Sequence, residues 1–500
     1  MRAMNTLSAL SRPLPGRWEL AMWAFLIAAA AVPRIYLDGL LGCYLWSGDA
    51  ASYCRPAFEW LGSGVWESDP RRGPIYSLLI AGTLKISGNL NTLMAVQHWL
   101  GGASVLAGIG ILRVMHGAKC WLPIAACGTA YSIYAGPVSV EHLVRNETLL
   151  FAFATAALGS WFMALRTRHL GWLVVAGISS SLIALTKDVF LPFPFVVIAG
   201  TVWLHRQNPA QAARQAAVFL LAAAVTLAAG HSERILGTAK RPPEPQSGIL
   251  LFGRVAQFTV LNGGIEPEIK ALIRSDIEDY LACIARDHRL RNNTILKDTA
   301  VPRMRKYLED RSQSPADLDR LCRRLAIEAI AAHPGSYLRQ VARDFWSLNT
   351  KFGSGIRSPD MGAVRDALEM QEESALEVAG DPANIARLQG LLSGDPFFFY
   401  HRIVNLAWLF QFVPVLLTTL LLPIFFARGS DPRDRIFWAG CGVMWLFTLV
   451  LLSTVGRPLN RYLLPVTPVM FWTLSTAVIY GWRLVLSRMP GSGPPGITTL

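Results

Sequence analysis

Long uninterrupted apolar runs constrain this chain more than any other feature. A helix needs about 20 apolar residues to cross the hydrocarbon layer of a bilayer. Ten runs satisfy that length: 18–37, 91–112, 119–137, 146–165, 170–186, 188–204, 211–230, 402–427, 436–454 and 462–486. An eleventh, Gly73–Ile86, is too short and reads as interfacial or re-entrant. With 52% hydrophobic and only 16% charged residues, the chain is not an ordinary water-soluble globule, nor is it disordered or fibrous. The sequence predicts an all-α polytopic membrane protein of about ten spans plus an interfacial helix.

The formal charge of +13 follows from topology. Segment 231–400 holds 23 basic and 23 acidic residues, so the whole excess lies in the apolar blocks around it. The chain shows no dense Lys/Arg run, which argues against a nucleic-acid partner. With the N-terminus in the cytoplasm and Gly73–Ile86 not spanning, the short basic breaks fall on one side. They are Arg113/Lys119, Arg166/Arg168, Arg206/Arg214, Arg428/Arg433/Arg435 and Arg483/Arg488. That is the positive-inside pattern, and both termini are then cytoplasmic. The first run is too long for a cleaved signal and reads as an uncleaved span.

This topology divides the chain into an N-terminal membrane domain (1–230), a helical extracytoplasmic domain (231–400), C-terminal membrane helices (401–488) and a loose tail (489–500). In the middle domain Ile269–Arg286 and Asp317–Ala332 have helical apolar spacing, Ser314-Pro315-Ala316-Asp317 is a helix start, and Asp360–Glu377 is a further candidate. Of the seven Cys, Cys43/Cys54 and Cys283/Cys322 are candidate disulfides or free thiols.

Ionisable residues at membrane depth are expensive, which makes them candidates for function. Five clusters fall on the outer face. Asp49, in Trp46-Ser47-Gly48-Asp49-Ala50-Ala51-Ser52-Tyr53, suits either a helix N-cap or a general base. Arg71 and Arg72 precede the Pro-opened run that contains Tyr76, where guanidinium forks suit phosphate or lipid headgroups. Glu141, His142, Arg145 and Glu147 cluster near the start of the fourth span, with Glu141 and Arg145 spaced to pair on one helical face. Lys187, next to Asp188, is wedged between two apolar runs. Arg457 and Arg461, beside Tyr462, lie on the side where the positive-inside rule disfavours them, which favours an anionic partner.

These residues also carry a resemblance. An Asp after the first span, Arg72-Gly73-Pro74-Ile75-Tyr76-Ser77-Leu78-Leu79-Ile80, Glu147-Thr148-Leu149-Leu150-Phe151, Gly177 through Asp188 and Arg461-Tyr462-Leu463-Leu464-Pro465 occur in an order that resembles the GT-C membrane glycosyltransferases. The similarity is to the branch of protein O-mannosyltransferases and lipid A aminoarabinose transferases, over about 18–205 and 400–486. Ala50 departs from the second acid of many mannosyltransferases, and Ser181 and Lys187-Asp188 depart from a Gly and an Arg-Pro.

The resemblance implies an enzyme of the bacterial inner membrane. It would transfer a sugar, with inversion, from a polyprenyl-phosphate donor to a glycan, lipid or protein hydroxyl outside the cytoplasm. Asp49 would be the catalytic base. Arg71, Arg72, Lys187 and Arg461 would bind the donor phosphate, with Tyr53, Tyr76, Glu141, His142, Arg145, Glu147, Arg457 and Tyr462 around them. No cofactor is required by this reading, although a divalent metal is compatible with it; no protein metal site is predicted. The alternatives are a ligase or polymerase of O-antigen type using a diphosphate-linked glycan, and a lipid or solute transporter.

Overall fold

The computed structural model describes residues 16–46, 49–67, 69, 72–117, 120–133, 138, 141–187, 193–232, 246–286, 299–350, 368–369, 382–393, 414–428, 431–454, 463 and 466–487. The described residues are overwhelmingly helical, and the fold is all-α. Among the described residues, six helices are long and apolar enough to cross a membrane: α1 (Gly16–Leu41), α4 (Asn91–His116), α6 (Glu147–Thr167), α9 (Pro209–Gly230), α17 (Pro432–Thr454) and α18 (Thr467–Ser487). The protein is an integral membrane protein.

Four further expected spans correspond to shorter helices: α5 (Trp121–Ser132), α7 (Leu170–Thr186), α8 (Phe193–Leu204) and α16 (Pro414–Arg428). Residues 134–137 after α5, and those just before α8 and α16, lie outside the described set. At 17 residues, α7 spans roughly 25 Å at 1.5 Å per residue, slightly less than a bilayer core. The run expected to be interfacial forms the 14-residue helix α3 (Pro74–Ser87), preceded by α2 (Ala50–Ser63). Pro74 opens α3, where its missing N–H costs nothing, and Gly88 closes it in the left-handed region that glycine adopts without strain.

The chain divides into two compact units. The first comprises Met1–Ala239, Asn349–Leu446 and Asn460–Leu500. Within it α7 packs against α6 and α9, α4 against α6, and α16 against α18. It also contains α15 (Pro382–Leu392), which the sequence grouped with the middle domain. The reason is apolar burial: Leu388 and Leu391 pack with Leu41, Cys43 and Leu45, on the segment that follows α1. Arg387 donates from Nε to the Leu41 carbonyl, one of the acceptors a helix end leaves open.

The second unit comprises Lys240–Leu348 and Phe447–Leu459. Its core joins α10 (Ser247–Val255), α11 (Pro267–Arg286), α12 (Ala300–Glu309) and α13 (Pro315–Ala332) through Phe252, Ile273, Ile277, Met304, Leu321 and Leu325. The expected helix start is a full capping box between Ser314 and Asp317. The candidate helix 360–377 lies outside the described residues except for 368–369. All seven cysteines are free thiols, including both candidate pairs.

One buried carboxylate organises the start of this unit. Asp319 on α13 accepts from the Gly248 and Ile249 amides at 2.6 and 3.3 Å, so it satisfies the open N–H groups of α10 from another helix. Leaving such buried donors unmet costs roughly 1–3 kcal/mol. Asp319→Ala in the full chain is therefore expected to lower the unfolding midpoint of this unit, while Asp319→Asn, which keeps an acceptor, loses less. Equal thermal and proteolytic resistance of both variants and the parent would refute this role.

Candidate active site

Asp49 occupies the N-cap position of α2 but does not act as a cap. Its backbone is helical (φ −91°, ψ −12°), and its side chain makes no capping hydrogen bond. Instead Arg72 Nη2 donates to Asp49 Oδ1 at 2.5 Å. Of the two readings of Asp49, the structure removes the cap.

Arg72 is held on three sides by the first turn of α2. Its Nε donates to Ser52 Oγ at 3.0 Å, and the Ser52 hydroxyl in turn donates to the Asp49 carbonyl at 2.7 Å. Its guanidinium lies 5.0 Å above the Tyr53 ring, a cation–π contact. Burial alone would lower the Arg72 pKa. The Tyr53 hydroxyl and the Asp49 carboxylate outweigh that effect and raise it, so the cation is secured. Arg72 and Asp49 remain 30% and 29% exposed. An ion pair this open contributes at most about 1 kcal/mol to stability. Its fixed geometry therefore matters more for what it presents to solvent than for holding the fold.

A chain of buried contacts fixes this pair to the membrane helices. Tyr53 packs edge-on against Tyr76 of α3 at 5.0 Å. The Tyr76 hydroxyl donates to Gln97 Oε1 on α4 at 2.8 Å. Gln97 Nε2 then donates to the carbonyls of Glu141 and Leu143 at 2.7 and 3.1 Å. Leu45 forms an isolated parallel bridge with Leu143, through Leu45 N to His142 O and Val144 N to Leu45 O. Segment 141–146 thereby holds Leu45, four residues before Asp49.

Segment 141–146 is a turn, so the expected helical pairing of Glu141 with Arg145 does not form. The two Glu141 oxygens meet Arg34 Nη2 of α1 and His98 Nδ1 of α4, each at 2.7 Å. His98 Nε2 lies 3.0 Å from His142 Nε2. Gly101 makes room for this cluster, because a Cβ there would sit 1.8 Å from Glu141 Oε1. Glu147 is the first residue of α6, where an acid suits the positive end of the helix dipole.

The end of α7 joins the same region. A Cβ on Gly73 would lie 1.6 Å from the Leu185 carbonyl oxygen and 3.2 Å from Thr186 Cα, so only glycine fits. Asn146 Nδ2 donates to the Thr186 carbonyl at 3.1 Å. Lys187 follows as the C-cap of α7. The backbone contact thus brings the Lys187 position beside the start of α3, one residue beyond Arg72.

The structure therefore brings together Asp49, Arg72, Tyr53 and Tyr76, links them to Glu141 and His142, and seats Glu147 and Lys187 on the adjoining helix ends. Arg145 shares the 141–146 turn. Arg71, Arg457, Arg461 and Tyr462, with Asp188, lie outside the described residues. Among the described residues no group of three or more His, Cys, Asp or Glu is placed to hold a metal ion. Ser52, Arg34, Gln97 and His98 were missed in the sequence. Arg34, Gln97 and His98 sit inside predicted spans, so the rule that polar groups at membrane depth mark function could have found them.

The chain matches no protein-family model and no curated protein. Among solved structures it is similar to ArnT from Cupriavidus metallidurans bound to undecaprenyl phosphate. The two share 15% identity over 89% of this chain and 79% of that one, with a TM-score of 0.36. The apo state of the same protein matches at 15% identity and TM-score 0.35, over 88% and 78% of the two chains.

His142 supplies a pH test of the buried cluster. Burial, and then the neighbouring His98 charge, hold its pKa well below the ordinary value near 6.5. The folded state thus binds fewer protons than the unfolded state below pH 6.5. Stability from this group is complete above that pH and is lost as pH falls through it, by up to about 1.4 kcal/mol per pH unit for one proton. Thermal unfolding in detergent between pH 8 and 5 is expected to show this loss, and His142→Gln to reduce the slope. An unchanged slope in the variant would exclude His142 as its source.

Proposed function

We propose that this protein is a membrane glycosyltransferase of the GT-C type. It would transfer a sugar from a polyprenyl-phosphate-linked donor to a hydroxyl of a glycan, lipid or protein, at the extracytoplasmic face of a bacterial inner membrane. The observation that carries this reading is the partly exposed Asp49–Arg72 pair, a carboxylate and a guanidinium fixed side by side after the first span. The ordered motifs around it and the basic bias of the short loops support the family and the orientation.

Asp49 accepts the proton of the acceptor hydroxyl. The acceptor oxygen attacks the anomeric carbon as the bond from that carbon to the donor phosphate oxygen breaks, with inversion. The lipid phosphate departs with the bonding electron pair and the proton passes from Asp49 to phosphate or water. Arg72 already contacts Asp49 and Ser52 through Nη2 and Nε, and a planar fork of five N–H donors suits a phosphate as well. Lys187, Arg71 and Arg461 are the further cations proposed for the leaving group. Fixed positive charge acts there because negative charge grows there, and one such donor is worth roughly 10²–10³ in rate. Tyr53 and Tyr76 are proposed to keep Arg72 in place without entering the chemistry.

In reconstituted membranes Asp49→Asn is expected to reduce transfer by about 10²–10⁴, the usual range for a lost general base. Arg72→Ala is expected to reduce it about 10²–10³-fold, with Arg72→Lys intermediate. Mass spectrometry of the lipid product distinguishes a released monophosphate from a diphosphate, and glycan profiling of cells lacking the gene identifies the missing sugar. Near-normal transfer by Asp49→Asn would eliminate it as base, and a diphosphate product would replace the donor class.

A further inference from the structure

Helix α15 follows α14 (Pro334–Thr350) in the chain, yet its partner is the segment between α1 and α2, up to 346 residues earlier. Alternate residues of that segment serve two different cores. Leu41, Cys43 and Leu45 pack with Leu388 and Leu391 of α15. Tyr44 and Trp46 pack with Ala50, Tyr53 and Tyr76, the cluster that includes the ring under the Arg72 guanidinium. The segment therefore lies between α15 and the core of the Asp49 site.

Two side chains of α15 grip the backbone of this segment. Arg387 Nε donates to the Leu41 carbonyl at 3.0 Å, and Asn384 Nδ2 donates to the Tyr44 carbonyl at 3.3 Å. A Cβ on Gly42 would lie 3.4 Å from Arg387 Nε and Nη2, so the guanidinium lies directly against that glycine, whose φ of +58° other residues rarely adopt. Asn384, Leu388 and Leu391 are buried and recur at i, i+4 and i+7, so one face of α15 is committed to the contact. Ala386, Gln389 and Gly390 are exposed.

The amide side of the segment is held by other elements. Tyr44 N donates to Asn91 Oδ1 of α4 at 3.0 Å, and Leu45 N to the His142 carbonyl at 2.9 Å. Helix α15 supplies side-chain donors to the Leu41 and Tyr44 carbonyls, and the apolar cover for Leu41, Cys43 and Leu45. The Asp49–Arg72 pair is too open to solvent to fix its own geometry. Its placement therefore depends on what holds the chain entering α2.

We propose that α15 is a clamp that positions Asp49 for transfer. Asn384 and Arg387 are positioning residues. They hold 41–45, and through Tyr44 the Tyr53–Tyr76 core, so that the carboxylate stands at Arg72. A reacting group displaced by roughly 1 Å can lose about 10²-fold in rate, so a clamp remote from the chemistry is enough to control it. The catalytic consequence rests on the transferase reading, whereas the clamp on 41–45 is measurable without it.

The test uses the full chain in lipid nanodiscs and compares Asn384→Ala/Arg387→Ala with the parent and with Gln389→Ala, on the exposed face of α15. Thermal unfolding identifies the folded variants, and Asn384→Ala alone replaces the double variant where that one does not fold. Hydrogen exchange is read over residues 41–46. The Gly42, Tyr44 and Leu45 amides are expected to exchange roughly tenfold faster in the double variant, because local opening becomes easier, and at the parental rate in Gln389→Ala. Transfer is then measured. The double variant is expected to lose about 10–10²-fold in kcat with KM for the donor within about twofold, and Arg387→Lys in place of Arg387→Ala to recover part of it. In an Asp49→Asn background the same α15 substitutions are expected to cost nothing further, because the group they position is gone. Unchanged exchange over 41–46 would overturn the clamp. Faster exchange with parental transfer would overturn the positioning role. An equal loss of transfer with and without the Asp49 carboxylate would overturn it in favour of general destabilisation. Near-normal transfer by Asp49→Asn alone would remove the transferase reading and the positioning role together, whatever the exchange shows.

Discussion

The architecture of the candidate site depends on one buried charge, the Glu141 carboxylate. A carboxylate inside a membrane unit is tolerable only when paired and hydrogen-bonded. Arg34 from α1 and His98 from α4 each take one of its oxygens, and Gly101 clears the space. Removing one partner of such a pair strands the other, at a typical cost of 3–5 kcal/mol. The cluster does not have to be a strong net stabiliser to be decisive, because an apolar replacement of the whole cluster can be equally stable. What it fixes is the course of segment 141–146, which has no helix of its own to hold it.

From that turn the order propagates through a few hydrogen bonds. Gln97 reads the Glu141 and Leu143 carbonyls with its amide nitrogen and anchors Tyr76 with its amide oxygen. Leu45 pairs with the same turn, so the chain entering α2 and the chain entering α3 are both referenced to it. Asp49 and Arg72 stand at those two entrances. Their ion pair is too exposed to organise its own surroundings, and the rigidity is supplied from beneath. That separation suits a site in which a cation must stay charged, in place and accessible. At its other side, the close approach of Gly73 to the Leu185 carbonyl sets the start of α3 directly on the end of α7.

Much of the fold was legible because bilayer thickness imposes a length on apolar helices. The six long spans, the short α3 and the capping box at Ser314 all follow from local pattern. The site was legible as a list of residues but not as a set of contacts. The Asp49 pattern fits a cap and a general base equally well, and only the placement of Arg72, 23 residues away, shows the carboxylate in an ion pair instead of a cap. Glu141 and Arg145 have helical spacing, but the segment is a turn whose partners come from 107 and 43 residues away. Such partners are selected by tertiary packing, and no local periodicity encodes them. The same holds for α15, which lies within a charge-rich stretch yet packs with the segment after α1 through Leu388 and Leu391.

The end of α17 shows why the charge-balanced middle of the sequence is not a detachable appendage. A helix leaves its last four carbonyls without intrahelical donors. Here the Ser453 carbonyl receives a hydrogen bond from Arg254 and the Thr454 carbonyl one from Tyr337. Arg254 itself is buried and balanced by Asp344. The second unit therefore contains the end of a membrane helix as part of its own structure. Excising 240–348 would remove the donors that satisfy that end and, in the excised piece, leave Arg254 without one of its acceptors. Each piece would then carry a polar group that had been paired, so residues 240–348 are tied to the end of α17 by hydrogen bonds that a cut would break.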